Sequence, residues 1–433
     1  MTSKVQKPNH LMLFDLEVGG HHAGYIRHLL HYWASKNDKP CPDPSCLAGR
    51  ISLVVSPEFL RKHLDVVKIR TAANVKWVAI SEAELSWYQA TSRSLVRRAW
   101  VEWRLFCRYA KRLRANQALI MYVDRFQLPL ALRLPVPCNL SGIYFRPTFH
   151  YQSFLGYNAF LKACANARSE RVRAFRQSLL WRLACRHPRL KVLFSLDPLA
   201  VEPLQRFGKM AKHPFGTKVV HLPDPVELYA KETGSRMIDE LRDELGIEAG
   251  RRVFLLFGVL SERKGIYELL DSLNFLATSE LARLSLLLVG QVTVTDEARL
   301  QAKIHSISRA MPIQIIMRNQ FIAEEDVALY FELADVILAP YQRHVGMSGI
   351  LVLAAAASKP VLASNYGLMG EMVRRRSLGI TVDSTKPNEI AKGVSAFLEG
   401  EPTEMFDSQS AAQFARENSA ERFARVVWEN LGI

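Results

Sequence analysis

Two adjacent cations, Arg263 and Lys264, follow a short apolar run and precede an amphipathic stretch. The segment FLLFGVLSERKGIYELLDSL (residues 254–273) predicts a strand, a loop and a helix, with both cations at the start of the helix. A helix N-terminus with fixed cations beside it is suited to binding a phosphate or diphosphate. The alternative is an ordinary strand-to-helix turn with a solvated Arg-Lys pair, and this segment alone favours neither.

Glycine-containing turns supply two further candidates for phosphate binding. Gly346, Ser348 and Gly349 belong to the turn GMSG, which precedes the apolar helical run ILVLAAAA, so its N–H groups and the serine hydroxyl could hold an anion. The alternative is an ordinary loop with a serine cap. Gly19 and Gly20 follow a predicted strand, where glycine lets the backbone turn tightly and approach a ligand closely.

Asp124 is the candidate catalytic residue, because it follows the apolar run ALIMYV and is therefore expected at the carboxyl end of a strand. An aspartate there could accept a proton from an acceptor hydroxyl or stabilise a cationic sugar. The alternative is a loop-capping aspartate or a salt bridge with Arg125 or Arg146.

Three loop histidines, His21, His22 and His344, are candidates by position alone for contacts with a sugar or a phosphate. Most histidines in loops are simply solvated or bonded to the backbone. The chain contains neither Asp-x-Asp nor His-Glu-x-x-His, so we expect no metal ion, and protein cations would take over its role.

Thirteen short apolar or β-rich runs must position these residues, and helical or mixed segments separate many of them. This alternation predicts an α/β protein with parallel sheets covered by helices. The predicted strands cover 11–18, 51–56, 75–80, 118–123, 141–146, 192–196 and 219–227 in the first half, and 254–259, 284–290, 313–318, 334–340, 359–364 and 379–383 in the second.

A Pro-Asp-Pro turn at 223–225 marks the predicted domain boundary. The first domain then covers residues 1–225 and the second 226–408, and two doubly wound domains place a ligand cleft between the carboxyl ends of their sheets. The remaining segment, 409–433, contains a helical stretch at 419–431 that is a candidate to pack back on the first domain.

Bulk composition limits the class of protein. A length of 433 residues predicts two domains, and 49% hydrophobic residues without an apolar run of 18 predicts a soluble protein with no membrane span. Residues 1–20 contain no long apolar region followed by a small-residue cleavage site, so we expect no secretion signal. The six scattered cysteines, including the loop pair Cys41 and Cys46, are expected to be reduced thiols in the cytoplasm. The net charge of +15 favours anionic partners: nucleotide phosphates, anionic lipid headgroups or nucleic acid.

Two basic stretches, 92–116 and 168–191, combine many arginines with large apolar residues at helical spacing. Such helices suit the surface of an anionic membrane. The alternative is that their apolar faces pack on a sheet while the cations are solvated, and both interpretations stay open.

In its second half the chain resembles a GT-B glycosyltransferase, closest to the retaining family 4 group. The resemblance is strong over about 240–400, where it rests on FLLFGVLSERKGIYELLDSL, LLLVG, AEEDVALYFELADVILAPY, GMSGILVLAAAASKPVLAS and GLMGEMVRRRSLGITVD; over the first 225 residues it is one of layout. It implies two Rossmann-like domains facing each other across a cleft. Lys264, with Arg263, would hold the donor's diphosphate, the GMSG turn would complete that site, and Gly19 and Gly20 would approach the same phosphates from the first domain. Fixed cations would stabilise the charge that gathers on the leaving nucleoside diphosphate.

The sequence departs from the family pattern at several positions. Aligned on Lys359-Pro360, the two family glutamates fall on Val345 and Leu353, and the arginine common after the strand glycine falls on Val259. The histidine of the first domain has no equivalent, and Asp124 stands at about its place.

The resemblance implies an enzyme that moves a sugar from a nucleotide-sugar donor, as co-substrate and without a cofactor, to an acceptor hydroxyl. A hexosyltransferase acting on a lipid-linked or polysaccharide acceptor is the leading hypothesis, located in the cytoplasm or peripherally on the inner face of the membrane. The departures keep a non-catalytic sugar-nucleotide-binding or scaffold protein as the alternative. A nucleic-acid-binding protein ranks last, because no zinc finger, RRM signature or recognition helix is present.

Overall fold

A computed structural model describes residues 10–37, 50–69, 75–91, 93–151, 167–209, 216–226, 234–293 and 296–432. Cys41 and Cys46 lie outside the described residues. The chain divides into two compact units. The first contains residues 1–150, 171–225 and 420–433, and the second contains residues 151–170 and 226–419.

The first unit is built on a parallel sheet of seven strands in the order β3-β2-β1-β4-β5-β6-β7. Its strands are β1 His10–Asp15, β2 Arg50–Val55, β3 Val75–Ala79, β4 Gln117–Ile120, β5 Asn139–Tyr144, β6 Leu190–Ser195 and β7 Lys218–His221. Its helices are α1 His22–Asn37, α2 Pro57–Lys62, α3 Leu64–Val67, α4 Glu82–Ala90, α5 Leu95–Arg112, α6 Gln127–Ala131, α7 Ala167–Ala184 (from residue 171 on) and α8 Pro198–Lys209, with α18 Ala420–Leu431 from the end of the chain.

Alternate side chains of the central strand β1 serve two separate cores, because successive residues of a strand point to opposite faces of the sheet. Met12 and Phe14 are buried with residues of α4 and α5, whereas Leu11 and Leu13 are buried with residues of α1 and α18. Within this unit, α18 packs along α1, and Trp428 donates a hydrogen bond to the Leu29 carbonyl at 3.2 Å.

The second unit is built on a parallel sheet of six strands in the order β10-β9-β8-β11-β12-β13. Its strands are β8 Arg252–Phe257, β9 Leu284–Val289, β10 Gln314–Arg318, β11 Val336–Ala339, β12 Val361–Ser364 and β13 Gly379–Val382. Its helices are α9 Ser235–Glu244, α10 Ile266–Ser272, α11 Thr278–Leu281, α12 Glu297–Ala310, α13 Val327–Leu333, α14 Gly349–Ala356, α15 Gly367–Arg375, α16 Pro387–Glu399 and α17 Ser408–Glu417.

Both sheets reverse their strand order once, between β1 and β4 in the first unit and between β8 and β11 in the second. In open parallel sheets the ligand site lies outside the carboxyl ends of the strands at this switch point. The predicted doubly wound α/β fold is therefore confirmed, and each unit has its own topologically defined place for a ligand.

The two basic stretches form helices with opposite surroundings. In α5, Trp103 and Phe106 are buried in the core of the first unit, so this helix follows the sheet-packing alternative. In α7, Val172, Phe175 and Leu179 are 60%, 71% and 48% exposed. None of the helices in the described part of the chain combines the length and apolar composition that a membrane span requires.

Candidate functional site

Lys264 is a buried cation at the switch point of the second sheet. It ends a single 3-10 turn, Glu262–Lys264, between β8 and α10, and only 7% of the residue is exposed. Its ammonium group donates a hydrogen bond to the Phe257 carbonyl at 2.8 Å and another to the Tyr341 hydroxyl. Among the described residues, no carboxylate forms an ion pair with it. A buried ammonium without a carboxylate is rare, because the charge loses its hydration without compensation.

Tyr341 joins the candidate residues of the second unit. Its ring lies 4.4 Å from the Lys264 ammonium and 5.6 Å from the Arg263 guanidinium, measured to the ring centroid. Its hydroxyl lies 3.2 Å from the Ser348 hydroxyl, and the His344 ring packs edge-on at 5.5 Å. Tyr341 thus contacts four candidate residues of the sequence analysis: the pair Arg263 and Lys264, Ser348 of the GMSG turn, and His344.

Sequence reasoning missed Tyr341. It follows the predicted strand ADVILAP directly, so its position at the carboxyl end of a strand was the available signal.

Gly265 makes the approach of Lys264 to Tyr341 possible. It adopts a left-handed conformation with φ of +73°, and a Cβ added there would lie 2.0 Å from the Pro340 carbonyl oxygen. Any side chain would therefore push the Lys264 turn away from the end of β11.

The GMSG turn leads into α14, with Ser348 at the N-cap position. The Ser348 side chain makes no capping hydrogen bond, so the predicted serine-cap alternative does not describe its contacts. Gly349 opens the helix, and a Cβ at Gly346 would lie 3.9 Å from the His344 ring. The imidazole Nε2 of His344 lies 3.0 Å from the Met347 carbonyl oxygen, a contact within the same loop.

In the first unit, Asp124 lies in a 3-10 turn, Val123–Phe126, that follows β4. Its two carboxylate oxygens accept hydrogen bonds from the backbone amides of Phe145 at 2.9 Å and Arg146 at 3.1 Å. These are the contacts of the loop-capping alternative. Burial nevertheless raises the pKa of Asp124 to about 6, although the two amides favour the ionised form.

The glycine pair follows the end of β1. Gly20 adopts φ of +71°, and no atom lies within 4 Å of a Cβ placed on Gly19 or Gly20, so Gly20 satisfies a backbone requirement and not a packing one. The adjacent His21 is exposed, and its ring stacks at 6.1 Å on Tyr25.

A pair of groups that sequence reasoning did not connect lies beside this turn. Asp15 Oδ2 is 2.7 Å from His22 Nδ1, with side-chain exposures of 2% and 12%. Burial disfavours the charged imidazole, but the Asp15 carboxylate outweighs this effect and raises the pKa of His22. An acid at the end of an otherwise apolar strand, followed seven residues later by histidine, was the signal in the sequence.

Two further acids lie near this pair, the half-buried Glu17 and the buried Glu102. Glu17 accepts hydrogen bonds from Tyr88 at 3.0 Å and Arg98 at 2.8 Å and pairs with Arg125. Burial opposes ionisation of Glu17, but the two arginines hold its pKa below the usual value. Glu102, paired with Arg125 at 3.2 Å, is more deeply buried, and burial raises its pKa to about 7.

Asp224 completes the acidic group of the first unit. The Tyr25 hydroxyl donates to it at 2.5 Å, and burial raises the pKa of Asp224. The first unit therefore holds groups that can exchange protons near neutral pH, and the second holds cations without carboxylate partners. The former suit proton transfer and the latter suit binding of an anion.

Comparison with known proteins points to one family. Residues 237–417 match the sequence profile of the family described as "Glycosyl transferases group 1". The chain is 29% identical over 171 residues to "Putative glycosyltransferase YtcC" of Bacillus subtilis, covering 39% of this chain and 42% of that protein. It is 27% identical over 197 residues to the lipopolysaccharide 1,2-N-acetylglucosaminetransferase of Salmonella typhimurium, covering 45% of this chain and 49% of that protein. The matches thus span less than half of either relative.

A solved structure agrees over nearly the whole chain. HepE of Anabaena, in complex with UDP, superposes with a TM-score of 0.63 at 14% identity, covering 98% of this chain and 99% of that one. At that identity the likeness establishes the GT-B fold alone. Residues 237–417 are thus similar to the group 1 glycosyltransferases, and they lie on the GT-B fold.

Proposed function

We propose that this protein transfers a sugar, by resemblance a hexose with retention of its anomeric configuration, from a nucleotide-sugar donor to an acceptor hydroxyl. The observation that carries the proposal is the buried Lys264 ammonium, which no described carboxylate neutralises. An anion supplied by a ligand would complete this site. A diphosphate fits because its leaving oxygen gathers charge as the glycosidic bond breaks.

The diphosphate would be bound jointly by Lys264, Arg263 and the GMSG turn. Lys264 is held rigidly by the Phe257 carbonyl and by Tyr341, so little ordering is needed when the anion binds. Arg263 is exposed and would reach outward to a second phosphate. Ser348, whose hydroxyl faces Tyr341 instead of capping α14, and the first amides of that helix would donate further hydrogen bonds.

UDP is the nucleotide to test first, because the structural neighbour HepE was solved with UDP bound. The acceptor is proposed to be a lipid-linked or polysaccharide intermediate, as the lipopolysaccharide transferase among the relatives suggests. No cofactor is required for this reaction.

The exposed face of α7 supports action at a membrane surface. Val172, Phe175 and Leu179 lie at positions i, i+3 and i+7, so they form one apolar stripe, and the exposed Arg171 and Arg176 flank it. Apolar side chains beside arginines complement an anionic lipid surface. We therefore propose a cytoplasmic protein that binds peripherally to the inner face of the membrane.

A thermal-shift panel with UDP, GDP, ADP, TDP and CDP tests the donor site, because a ligand that binds only the folded protein raises its melting temperature. We expect one nucleotide to give a clear shift and its sugar conjugate to be turned over. Binding without turnover of any sugar conjugate would favour the non-catalytic alternative. No shift with any nucleotide would refute the nucleotide-sugar proposal.

A further inference from the structure

Tyr341 links two groups of the second unit that would bind the diphosphate, Lys264 and Ser348. It lies two residues beyond the end of β11, and only 1% of it is exposed. Its hydroxyl accepts a hydrogen bond from the Lys264 ammonium and lies 3.2 Å from the Ser348 hydroxyl. The side chain therefore stands between a buried cation and a polar group at the start of α14.

The backbone around Tyr341 is fixed on both sides. Its carbonyl oxygen accepts hydrogen bonds from the Tyr366 hydroxyl at 2.7 Å and the Ser384 hydroxyl at 3.1 Å. The amide of the next residue, Gln342, donates to the Arg263 carbonyl at 2.8 Å. The Tyr341 hydroxyl is therefore held in place before any ligand binds, so that binding requires little ordering of this side chain.

The chemistry of these groups sets the direction of their hydrogen bonds. An ammonium only donates, so the Tyr341 oxygen accepts the bond from Lys264. The hydroxyl proton of Tyr341 is buried and needs an acceptor of its own. Among the described residues that contact this hydroxyl, only Ser348 can accept that proton. The hydrogen bonds therefore run from Lys264 to Tyr341 and from Tyr341 to Ser348.

Ser348 is left with a proton to donate. The residue is half-buried, and its side chain does not cap α14. In the described part of the chain, no group accepts the Ser348 proton. A hydroxyl oriented in this way favours a ligand atom that accepts hydrogen bonds, and it favours an ionised oxygen most strongly.

The Lys264 ammonium also keeps one N–H group for a ligand. It has three such groups, and two of them are used by the Phe257 carbonyl and the Tyr341 hydroxyl. Gly258 leaves room beside the ammonium, because a Cβ at that residue would lie 3.1 Å from Nζ. Lys264 can therefore bind one ligand oxygen while Ser348 binds another.

We propose that Tyr341 is a positioning residue of the diphosphate site, which orients the Ser348 hydroxyl as a hydrogen-bond donor and couples it to the Lys264 charge. This inference rests on the proposed function. The ammonium polarises the Tyr341 hydroxyl, which in turn polarises Ser348, because successive hydrogen bonds strengthen one another where the dielectric is low. The diphosphate is thus bound at two points, by Lys264 itself and by Ser348.

The experiment measures binding to the full chain by calorimetric titration with inorganic diphosphate, UDP and uridine, or with the nucleotide and nucleoside of the base that gives the largest thermal shift. It compares wild type with Tyr341→Phe, Ser348→Ala and the double variant. Tyr341→Phe removes one oxygen and keeps the ring beside Arg263 and Lys264. The matched control is Tyr366→Phe, which removes a buried hydroxyl that bonds the Tyr341 carbonyl and not Lys264. Urea unfolding of each variant measures stability separately.

We expect Tyr341→Phe to weaken binding of UDP and inorganic diphosphate about 10- to 100-fold, as for the loss of a hydrogen bond to a charged group. Uridine, which lacks the phosphates, should bind the variant as it binds wild type, whereas a purely structural role would weaken all three ligands. Ser348→Ala should weaken diphosphate binding less in the Tyr341→Phe background than in wild type, because Ser348 has already lost its orientation there. Tyr366→Phe should bind every ligand like wild type.

Several results would overturn the inference and leave the proposed function in place. One is wild-type diphosphate affinity in Tyr341→Phe or in Ser348→Ala. Another is tighter binding by Tyr341→Phe, which would show that the hydroxyl occupies the place of a phosphate oxygen. A third is a double variant in which the two fold-changes simply multiply, since Ser348 would then act independently of Tyr341. A wild-type chain that binds no nucleoside diphosphate would instead refute the proposed function, and the inference with it.

Discussion

Replacing Lys264 with methionine separates ligand binding from folding, because it should weaken nucleotide binding without lowering the free energy of unfolding. At an effective dielectric of about 20, an ammonium and a phosphate oxygen about 4 Å apart attract each other by about 4 kcal/mol. Loss of that attraction would weaken binding of the nucleoside diphosphate about a thousandfold. Lys264→Met keeps the length and the packing of the side chain, so little else should change.

The free energy of unfolding should respond differently. Wild type holds the Lys264 ammonium in a site that is 7% exposed, with a carbonyl and a hydroxyl as its described partners. Methionine removes this desolvated charge, whose burial costs several kcal/mol, and the two lost hydrogen bonds from the charged donor are worth about 1.5–3 kcal/mol each. Tyr341 keeps its contact with Ser348. We therefore expect the unfolding free energy without nucleotide to be equal to that of wild type or higher.

Calorimetric titration with the nucleotide that gives the largest thermal shift, together with urea unfolding, measures both quantities. Lys392→Met is the matched control, because this lysine lies in the same unit with 71% of its side chain exposed. It should change neither quantity. The reasoning is refuted if Lys264→Met lowers the unfolding free energy by several kcal/mol while nucleotide affinity stays at the wild-type value, since Lys264 would then be a structural cation.

Three further substitutions test other parts of the molecule. Gly265→Ala should abolish nucleotide binding and lower the melting temperature, because a φ of +73° costs an L-residue about 1–2 kcal/mol and the added Cβ would lie 2.0 Å from the Pro340 carbonyl oxygen. The control Gly250→Ala, with φ of +81° and no atom near its Cβ, should show the conformational cost alone. Glu102→Gln should reduce the loss of unfolding free energy as the pH rises. Burial raises the pKa of Glu102 from 4.5 to about 7, so between these values the folded protein keeps a proton that the unfolded chain loses, and wild type loses about 1.4 kcal/mol of stability per pH unit. Equal slopes of unfolding free energy against pH, measured by urea unfolding of both proteins, would contradict this assignment. Phe175→Glu should weaken sedimentation with phosphatidylglycerol vesicles, whereas Phe321→Glu, which changes an equally exposed phenylalanine of the other unit, should not; equal binding by both variants would exclude α7 as the membrane contact.

The strands could be predicted from the sequence because a parallel strand covered on both faces must be apolar along its whole length. Every predicted run overlaps a strand, although the ends differ by a few residues, as in 118–123 against Gln117–Ile120. The predicted and observed strand ends differ because side chains remain buried beyond the last backbone hydrogen bond of the sheet. Met121 and Val123, for example, are buried although β4 ends at Ile120.

The site was only partly predictable, because its contacts join residues that are distant in sequence. Lys264 and Ser348 were identified from local patterns, but the residue that joins them, Tyr341, looks like an ordinary core aromatic until its hydroxyl is placed. Likewise Asp15 and His22 belong to a strand and a helix in the sequence, and only the turn at Gly19 and Gly20 brings them within 2.7 Å.

Composition gave no means of distinguishing the two basic helices. Both α5 and α7 carry arginines among large apolar residues, yet Phe106 is fully buried and Phe175 is 71% exposed. A helical repeat shows that an apolar face exists, but burial depends on which element is packed against that face.

The two switch points differ in the way their charges are balanced, and this difference indicates which of them would bind an anion. In the first unit, Asp15 is paired with His22 and Glu17 with two arginines, so these charges already balance one another. In the second unit, no described carboxylate pairs with Lys264 or Arg263, so an anion is what that site lacks. We therefore infer that the donor's diphosphate binds the second unit, where it would supply the negative charge that Lys264 and Arg263 lack.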